Sequence, residues 1–230
     1  PVLATRIKRA HKLRGQKLLV ADLRKNELAV RADLHIHPKP GSDLVWLSAV
    51  TKYIFDKGWE DKEFLKERVN NVEKYKESVA KFTLEYAEEK TGLSKETIIK
   101  IAEMIHESKG TCILWAMGVT QHMGGTDTST AICNLLLVTG NFGKPNAGAY
   151  PLRGHNNVQG AGDFGTMPNW LPGYEPVEND EVRSRFEKAW GTTIPKKPGL
   201  NNHQIVEAIT DGRVKGMYLF GEEMALVDSN

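Results

Sequence analysis

Between Tyr150 and Gly165 the chain reads YPLRGHNNVQGAGDFG, setting an arginine, a histidine, two asparagines, a glutamine and an aspartate among glycines. Polar side chains at that density are costly to bury alone, so they pair with one another or with a ligand. Arg153 is the natural holder of a small anion, because a guanidinium stays charged and grips a carboxylate through two parallel N–H donors. His155, two residues on, offers a hydrogen bond or a proton that titrates near neutrality. A polar loop knitting two subdomains together would have the same composition, and the pattern alone leaves both readings open.

Three more clusters share one design, each following a short apolar run that ends as a strand would. Asp22-Leu23-Arg24-Lys25 follows KLLVA, and an acid at such a position commonly hydrogen-bonds a ribose or a base edge. Pro40-Gly41-Ser42-Asp43 opens a helix, with Ser42 at the N-cap position and backbone amides suited to phosphate or amide groups. Met117-Gly118-Val119-Thr120-Gln121 follows CILWA, where Gly118 lets a ligand approach the backbone closely. An ordinary turn or cap explains each cluster taken singly. Three in register along one edge of an open α/β sheet point instead to a nucleotide-like ligand. The segment has no GxGxxG, which argues against a standard NAD site. His35 and His37 alternate on a strand without a third ligand nearby; His11, His106 and His203 have no partner by spacing. Cys112 and Cys133 lie in apolar runs, as small hydrophobes do.

The elements that must position these residues alternate. Apolar spacing predicts helices over 2–14, 44–55, 61–68, 72–81, 94–109, 129–138, 180–190 and 202–211, and another from Thr83. Strands are predicted at 17–21, 34–36, 112–115 and 216–220. Such alternation implies an α/β fold, a Rossmann-like parallel sheet flanked by helices, followed by part of a second α/β domain. Eight glycines and four prolines fall between positions 140 and 173, so little regular structure is expected there.

Composition narrows the classes. The 230 residues carry 31 Lys+Arg against 29 Asp+Glu, a net charge of +2, which disfavours a nucleic-acid binder relying on bulk charge. At 40% hydrophobic and 26% charged residues the chain is too apolar for intrinsic disorder. Two cysteines make neither a disulfide scaffold nor a four-cysteine metal site. No apolar run reaches the roughly 18–20 residues of a membrane span. The chain starts at Pro1 with a basic helix, and we expect it to be an internal piece of a longer protein.

The run LWAMGVTQH…TSTAICNLLLVTGNFGKPNAGAYPLRGHNNVQGAGDFGTMPNWLPGY resembles the catalytic subunit of molybdopterin-dependent formate dehydrogenases, members of the dimethyl-sulfoxide-reductase family. The resemblance covers the whole chain, and its Leu137–Asn141, GKPNAG and RG-x-NNVQG elements follow in family order. It implies a bis-(molybdopterin guanine dinucleotide) cofactor with molybdenum or tungsten, and a [4Fe–4S] cluster and a Cys or selenocysteine ligand in a part of the protein preceding Pro1. It also implies formate and carbon dioxide as substrate and product, electron-transfer subunits or domains as partners, and a cytoplasmic location. Arg153 matches the arginine that orients formate, and His155 stands where close relatives often carry Gln. Ala21, Asp22, Leu23, Arg24 and Lys25, then Gly41, Ser42 and Asp43, then Met117, Gly118 and Gln121 match positions that hold one guanine dinucleotide. Gly221, Glu222 and Glu223 match a later cofactor contact. The family's domain boundary would divide the chain into 1–155, part of a nucleotide-binding α/β domain, and 156–230, part of a second. A nitrate reductase of the same family, or a non-catalytic structural homologue, would share the dinucleotide contacts; the Arg153-Gly154-His155-Asn156-Asn157 motif favours formate.

Overall fold

The most apolar stretch of the sequence becomes the helix around which the first part of the chain is built. Helix α2 (Asp43–Lys57) buries Trp46, Leu47, Ala49, Val50, Ile54 and Phe55, so it is covered on nearly every side, as a helix without a polar face must be. Gly58 ends it in the left-handed conformation (φ 67°). The Gly58 amide donates to Phe55 O (3.0 Å) and the Trp59 amide to Ile54 O (3.0 Å), the paired bonds of a Schellman motif. A computed structural model describes residues 2–221 and residue 223. It divides into two compact units, Pro1–Leu152 and Arg153–Asn230.

In the first unit, α4 (Val72–Val79), α5 (Leu84–Thr91), α6 (Lys95–His106) and α7 (Gly125–Val138) pack against α2. Ile98, Ile101 and Ala102 of α6 repeat at helical spacing and are all but fully buried, in one core with Ala131, Ile132, Leu135 and Leu136 of α7. Side chains set the starts of these helices: Thr83 accepts from the Tyr86 amide (3.2 Å), Ser94 from Thr97 (3.2 Å), and Asp61 from Phe64 (3.0 Å) to open α3 (Lys62–Arg68). Helix α1 (Val2–Arg14) buries no residue and is tied down by polar contacts, Lys8 to Glu27 (2.8 Å) and His11 to the Gln16 carbonyl (2.7 Å).

The strands are parallel, as alternation with helices requires. β1 (Leu19–Ala21) runs beside β2 (Leu34–Ile36), and β3 (Cys112–Trp115) beside β4 (Gly148–Pro151). The strands pair two by two rather than as one continuous sheet. Residues 22–33 cross from β1 to β2 with only a 3-10 turn, Ala29–Arg31, near the minimum length for a parallel connection. The β3–β4 crossover carries α7.

The second unit has its own small core of Leu171, Val177 and Val182, with Phe186 and Ile194 packed on it. Helix α8 (Val158–Asp163), an antiparallel pair β5 (Trp170–Leu171) and β6 (Glu175–Pro176), and helices α9 (Asp180–Trp190) and α10 (Asn202–Thr210) follow. Asn179 caps α9, and Asn201 with Gln204 makes a capping box at α10. Arg183 is buried beside Asp180 and donates to the Val177 carbonyl (3.1 Å), which satisfies its charge.

Two expectations are corrected. The stretch from 140 to 173 holds β4, α8 and β5. The glycines there serve close approaches and left-handed turns between short elements, and pairing with β3 overrides the low strand propensity of Gly148–Pro151. Residues 216–220, expected as a strand, have no regular structure, and Tyr218 and Phe220 are exposed; among the described residues no strand lies beside them to complete a ladder.

The Leu137–Asn141 element is the connector that ends α7. Gly140 (φ 61°) donates to Leu137 O (3.0 Å) and the Asn141 amide to Leu136 O (2.8 Å). The buried Asn141 side chain accepts from the Thr111 amide (2.8 Å) just before β3. A Cβ on Gly140 would lie 2.2 Å from Asp61 Oδ2 and 2.9 Å from Asp61 Cβ. Gly140→Ala is therefore expected to cost about 2 kcal/mol, from the left-handed backbone and from the displaced cap of α3, read as a lower midpoint in thermal unfolding. A second test concerns pH. Lys95 donates to Glu85 (2.8 Å) and holds its carboxyl down from the usual 4.5 to about 2. A depressed carboxylate stabilises the fold above its unfolded pKa, so this contribution is complete above 4.5 and is lost as pH falls from there to about 2. Lys95→Met should flatten the pH dependence of stability in that window, measured by urea unfolding at stepped pH.

Candidate functional site

The first unit presents its loops at the carboxyl ends of the parallel strands. At the end of β1 the Asp22 amide continues the ladder by donating to Ile36 O (3.2 Å). Its carboxylate then organises the loop, accepting from the Arg24 amide (2.7 Å) and from Asn26 Nδ2 (2.7 Å). Ala21, Leu23, Arg24 and Lys25 are left exposed, and among the described residues neither cation has an ion-pair partner. His35 on β2 meets the Asp22 carbonyl (3.0 Å), so its ring is engaged in holding the same turn.

At the end of β2, Gly41 adopts a left-handed conformation (φ 76°), with nothing within 4 Å of the space a side chain would fill. Ser42 corrects an expectation: it is buried and donates to the Lys39 carbonyl (2.6 Å) rather than capping α2. The first amides of α2 thus have no side-chain cap, and the helix dipole there favours an anion. Asp43 accepts from Trp46 Nε1 (3.1 Å).

After β3 comes a 3-10 turn, Met117–Val119, with Met117 and Gln121 exposed and open space beside the Gly118 backbone. The Gln121 amide donates to Met117 O (2.8 Å). His122, unremarked in the sequence, follows. Its Nδ1 lies 2.8 Å from the Met123 carbonyl, and its Nε2 is buried without a hydrogen-bond partner. Gly125 fixes the turn against α7, since a Cβ there would fall 2.0 Å from the Thr120 carbonyl oxygen. The clusters at Asp22 and Gly41 thus share one edge of the β1–β2 pair. The Met117 cluster stands at the corresponding end of the separate β3–β4 pair, so the three do not line a single sheet edge.

In the second unit Arg153 is exposed and donates from Nη2 to Gln159 Oε1 (3.2 Å). Gln159 Nε2 donates in turn to Asp163 Oδ1 (3.2 Å) and to the Tyr174 hydroxyl (2.9 Å). The nearby Asp163 carboxylate, followed by desolvation, pushes the Tyr174 phenol above its usual value. His155 is exposed in the bend that follows Arg153. Gly221 is exposed with φ 70°, and Glu222 lies outside the described residues. Sequence reading missed Gln159 and Tyr174 as partners of Arg153; the i, i+4 spacing of Gln159 and Asp163 on one helix face was the available signal.

Exposed cations and uncapped amides at the ends of parallel strands are the place where open α/β folds commonly bind ligands. Comparison with known proteins narrows the class. The family model for molybdopterin oxidoreductases matches residues 1–230, and the chain belongs to that family. It is 65% identical over 230 residues to "Putative formate dehydrogenase YrhE" and 63% identical to "Probable oxidoreductase YjgC", both of Bacillus subtilis (strain 168). Each match covers 100% of this chain and 23–24% of the relative, so the chain spans about a quarter of the length of these relatives. Among solved structures it is similar to the acetylene hydratase from Pelobacter acetylenicus, with a TM-score of 0.58 and 28% identity over 60% of this chain and 19% of that one.

The Tyr174 contact is open to spectroscopy. Asp163→Asn removes the main cause of its raised pKa, so Tyr174 should then ionise closer to the ordinary value of 10.0. The ultraviolet difference titration, with Tyr174→Phe as the reference, reads that shift directly.

Proposed function

We propose that this chain is part of the catalytic subunit of a formate dehydrogenase that oxidises formate to carbon dioxide at a molybdenum or tungsten bis-(molybdopterin guanine dinucleotide) centre. Family membership and relatives whose names carry formate dehydrogenase support the reading. The observation that carries it is Arg153, an exposed guanidinium held by a neutral amide and, among the described residues, joined to no carboxylate.

The residues present fit the cofactor. A dinucleotide needs anion-binding amides, cations for its phosphates and room to approach the backbone. The uncapped start of α2 with Gly41, Ser42 and Asp43, the cations Arg24 and Lys25 beside Ala21, Asp22 and Leu23, and the open backbone at Gly118 between Met117 and Gln121 have that chemistry. Gly221 and Glu222 would add a later contact. The orphaned Nε2 of His122 adds a buried polar atom in the same loop that lacks a partner within the chain. When bound, the metal–pterin group supplies the two-electron sink for the reaction. The [4Fe–4S] cluster, electron-transfer partners and cytoplasmic location belong to the same reading; among the described residues no His, Cys, Asp and Glu group could hold a metal ion.

Formate oxidation converts HCOO⁻ to CO₂ with release of one proton and two electrons. The demand on the protein is to hold a monoanion and aim its C–H bond, which is positioning with charge complementarity. Arg153 binds the carboxylate through a planar fork that fixes orientation as well as charge. His155, two residues away, stands ready to contact the same small substrate or to hold a proton. The product is neutral, so its attraction to Arg153 weakens as the reaction completes.

Arg153→Lys in the full-length protein keeps the charge and loses the fork. Formate turnover as kcat/KM is expected to fall about 100-fold while metal content stays unchanged. Steady-state kinetics beside elemental analysis checks this, and unchanged kinetics would remove Arg153 from the reaction.

A further inference from the structure

Among the described residues the Arg153 side chain has one hydrogen-bond partner, Gln159, and the orientation of that partner is forced. Gln159 Nε2 has two protons, and two acceptors lie in reach, Asp163 Oδ1 at 3.2 Å and the Tyr174 hydroxyl oxygen at 2.9 Å. The Asp163 carboxylate can only accept. The Tyr174 hydroxyl oxygen accepts from the same nitrogen. Turning the Gln159 amide over would set its carbonyl oxygen against a carboxylate. Its Oε1 must therefore face Arg153, 3.2 Å from Nη2.

The backbone is arranged to hold Tyr174 in this position. Tyr174 is in the left-handed region (φ 59°), unfavourable for an aromatic residue, in the three-residue loop between β5 and β6. Its hydroxyl sits where a side chain on residue 162 would be: a Cβ on Gly162 would lie 2.8 Å from the Tyr174 oxygen. A strained tyrosine and a glycine that admits it converge on the Gln159 amide, whose oxygen meets Arg153.

We propose that Gln159 is the positioning residue for Arg153, clamped by Asp163 and Tyr174, and that its neutrality is the reason it is an amide. A Glu or Asp at that point would pair with the guanidinium and cancel the charge a carboxylate substrate needs. A carbonyl oxygen fixes one guanidinium edge through a single N–H and leaves the net positive charge, and the other N–H donors, for a small monoanion. Asp163, which accepts from Gln159 Nε2, acts on Arg153 through Gln159. The proposal rests on the formate reading, deepening it from one arginine to the device that orients it.

The test uses the full-length, cofactor-loaded protein and two readouts, steady-state kinetics with formate and the thermal shift given by formate in the absence of an electron acceptor. Gln159→Leu should raise KM for formate about tenfold, change kcat by less than threefold and leave the unfolding midpoint unchanged. Gln159→Glu should raise KM further, because it neutralises Arg153. Tyr174→Phe and Gly162→Ala should each raise KM in the same direction, and neither should add to Gln159→Leu when combined with it. The formate-induced thermal shift should shrink in the same order. The proposal is overturned if Gln159→Leu leaves KM within twofold of the parent while Arg153→Lys is impaired, or if Gln159→Glu binds formate better than Gln159→Leu. If the parent protein does not oxidise formate, the functional reading fails; a thermal shift with formate that still depends on Gln159 would then uphold the clamp as an anion site, and its independence of Gln159 would overturn both.

Discussion

Parallel pairing governs the layout of the first unit. Two strands running the same way cannot be joined by a tight turn, so the chain must recross the core between them, and both strands then finish at the same edge. Between β3 and β4 that crossing is α7, which packs against α2 at the centre of the core. Leu152, one residue past β4, donates to Trp115 O (2.7 Å), the last residue of β3. The pairing therefore fixes where the chain leaves the unit, and Arg153 is the next residue. The same constraint delivers the Asp22 loop and the Gly41 loop to one edge of the β1–β2 pair. Loops far apart in sequence are placed by ladder geometry and require no contact with one another.

How far this was legible in the sequence depended on whether the signal was local. Helices were legible through apolar spacing, and the structure shows Asp61, Thr83, Ser94 and Asn179 capping them. Strands were legible where a short apolar run coincided with real pairing, as at Leu34–Ile36 and Cys112–Trp115. They were misread where pairing is non-local: Gly148–Pro151 is a strand because β3 lies beside it, and residues 216–220 are not one because no neighbour among the described residues completes them. Ser42 shows the limit of residue type alone. A serine before a helix is a strong cap signal, yet the Lys39 carbonyl takes its hydroxyl. The family was legible from motifs whose order and spacing no local propensity would produce.

Those motifs turn out to do different physical jobs. Gly140 and Asn141 are structural: one supplies the left-handed turn that ends α7, the other a buried amide that ties that turn to the start of β3. In the second unit, Gly160 and Gly162 make room, the first for the Asn157 side chain and the second for Tyr174. Arg153, His155 and Asn156 of the same motif are left exposed. A motif that identifies a family is thus in good part scaffold.

Fold alone does not choose the reaction. A solved structure with a TM-score of 0.58 to this chain is named an acetylene hydratase, and addition of water to a neutral alkyne needs no holder for a carboxylate. The distinction has to lie in the polar groups set on the common frame. An arginine neutralised by a nearby acid would be a structural ion pair, as Arg183 is with Asp180, and would give an incoming monoanion no net attraction. An arginine with no partner would be mobile and would orient a substrate poorly. Arg153 is neither: a neutral amide fixes one edge of its guanidinium while its charge stays uncompensated by any ion pair among the described residues. That combination suits the proposed reaction, which begins with a small anion and ends with a neutral gas, because binding is strongest before the charge is lost and weakest after.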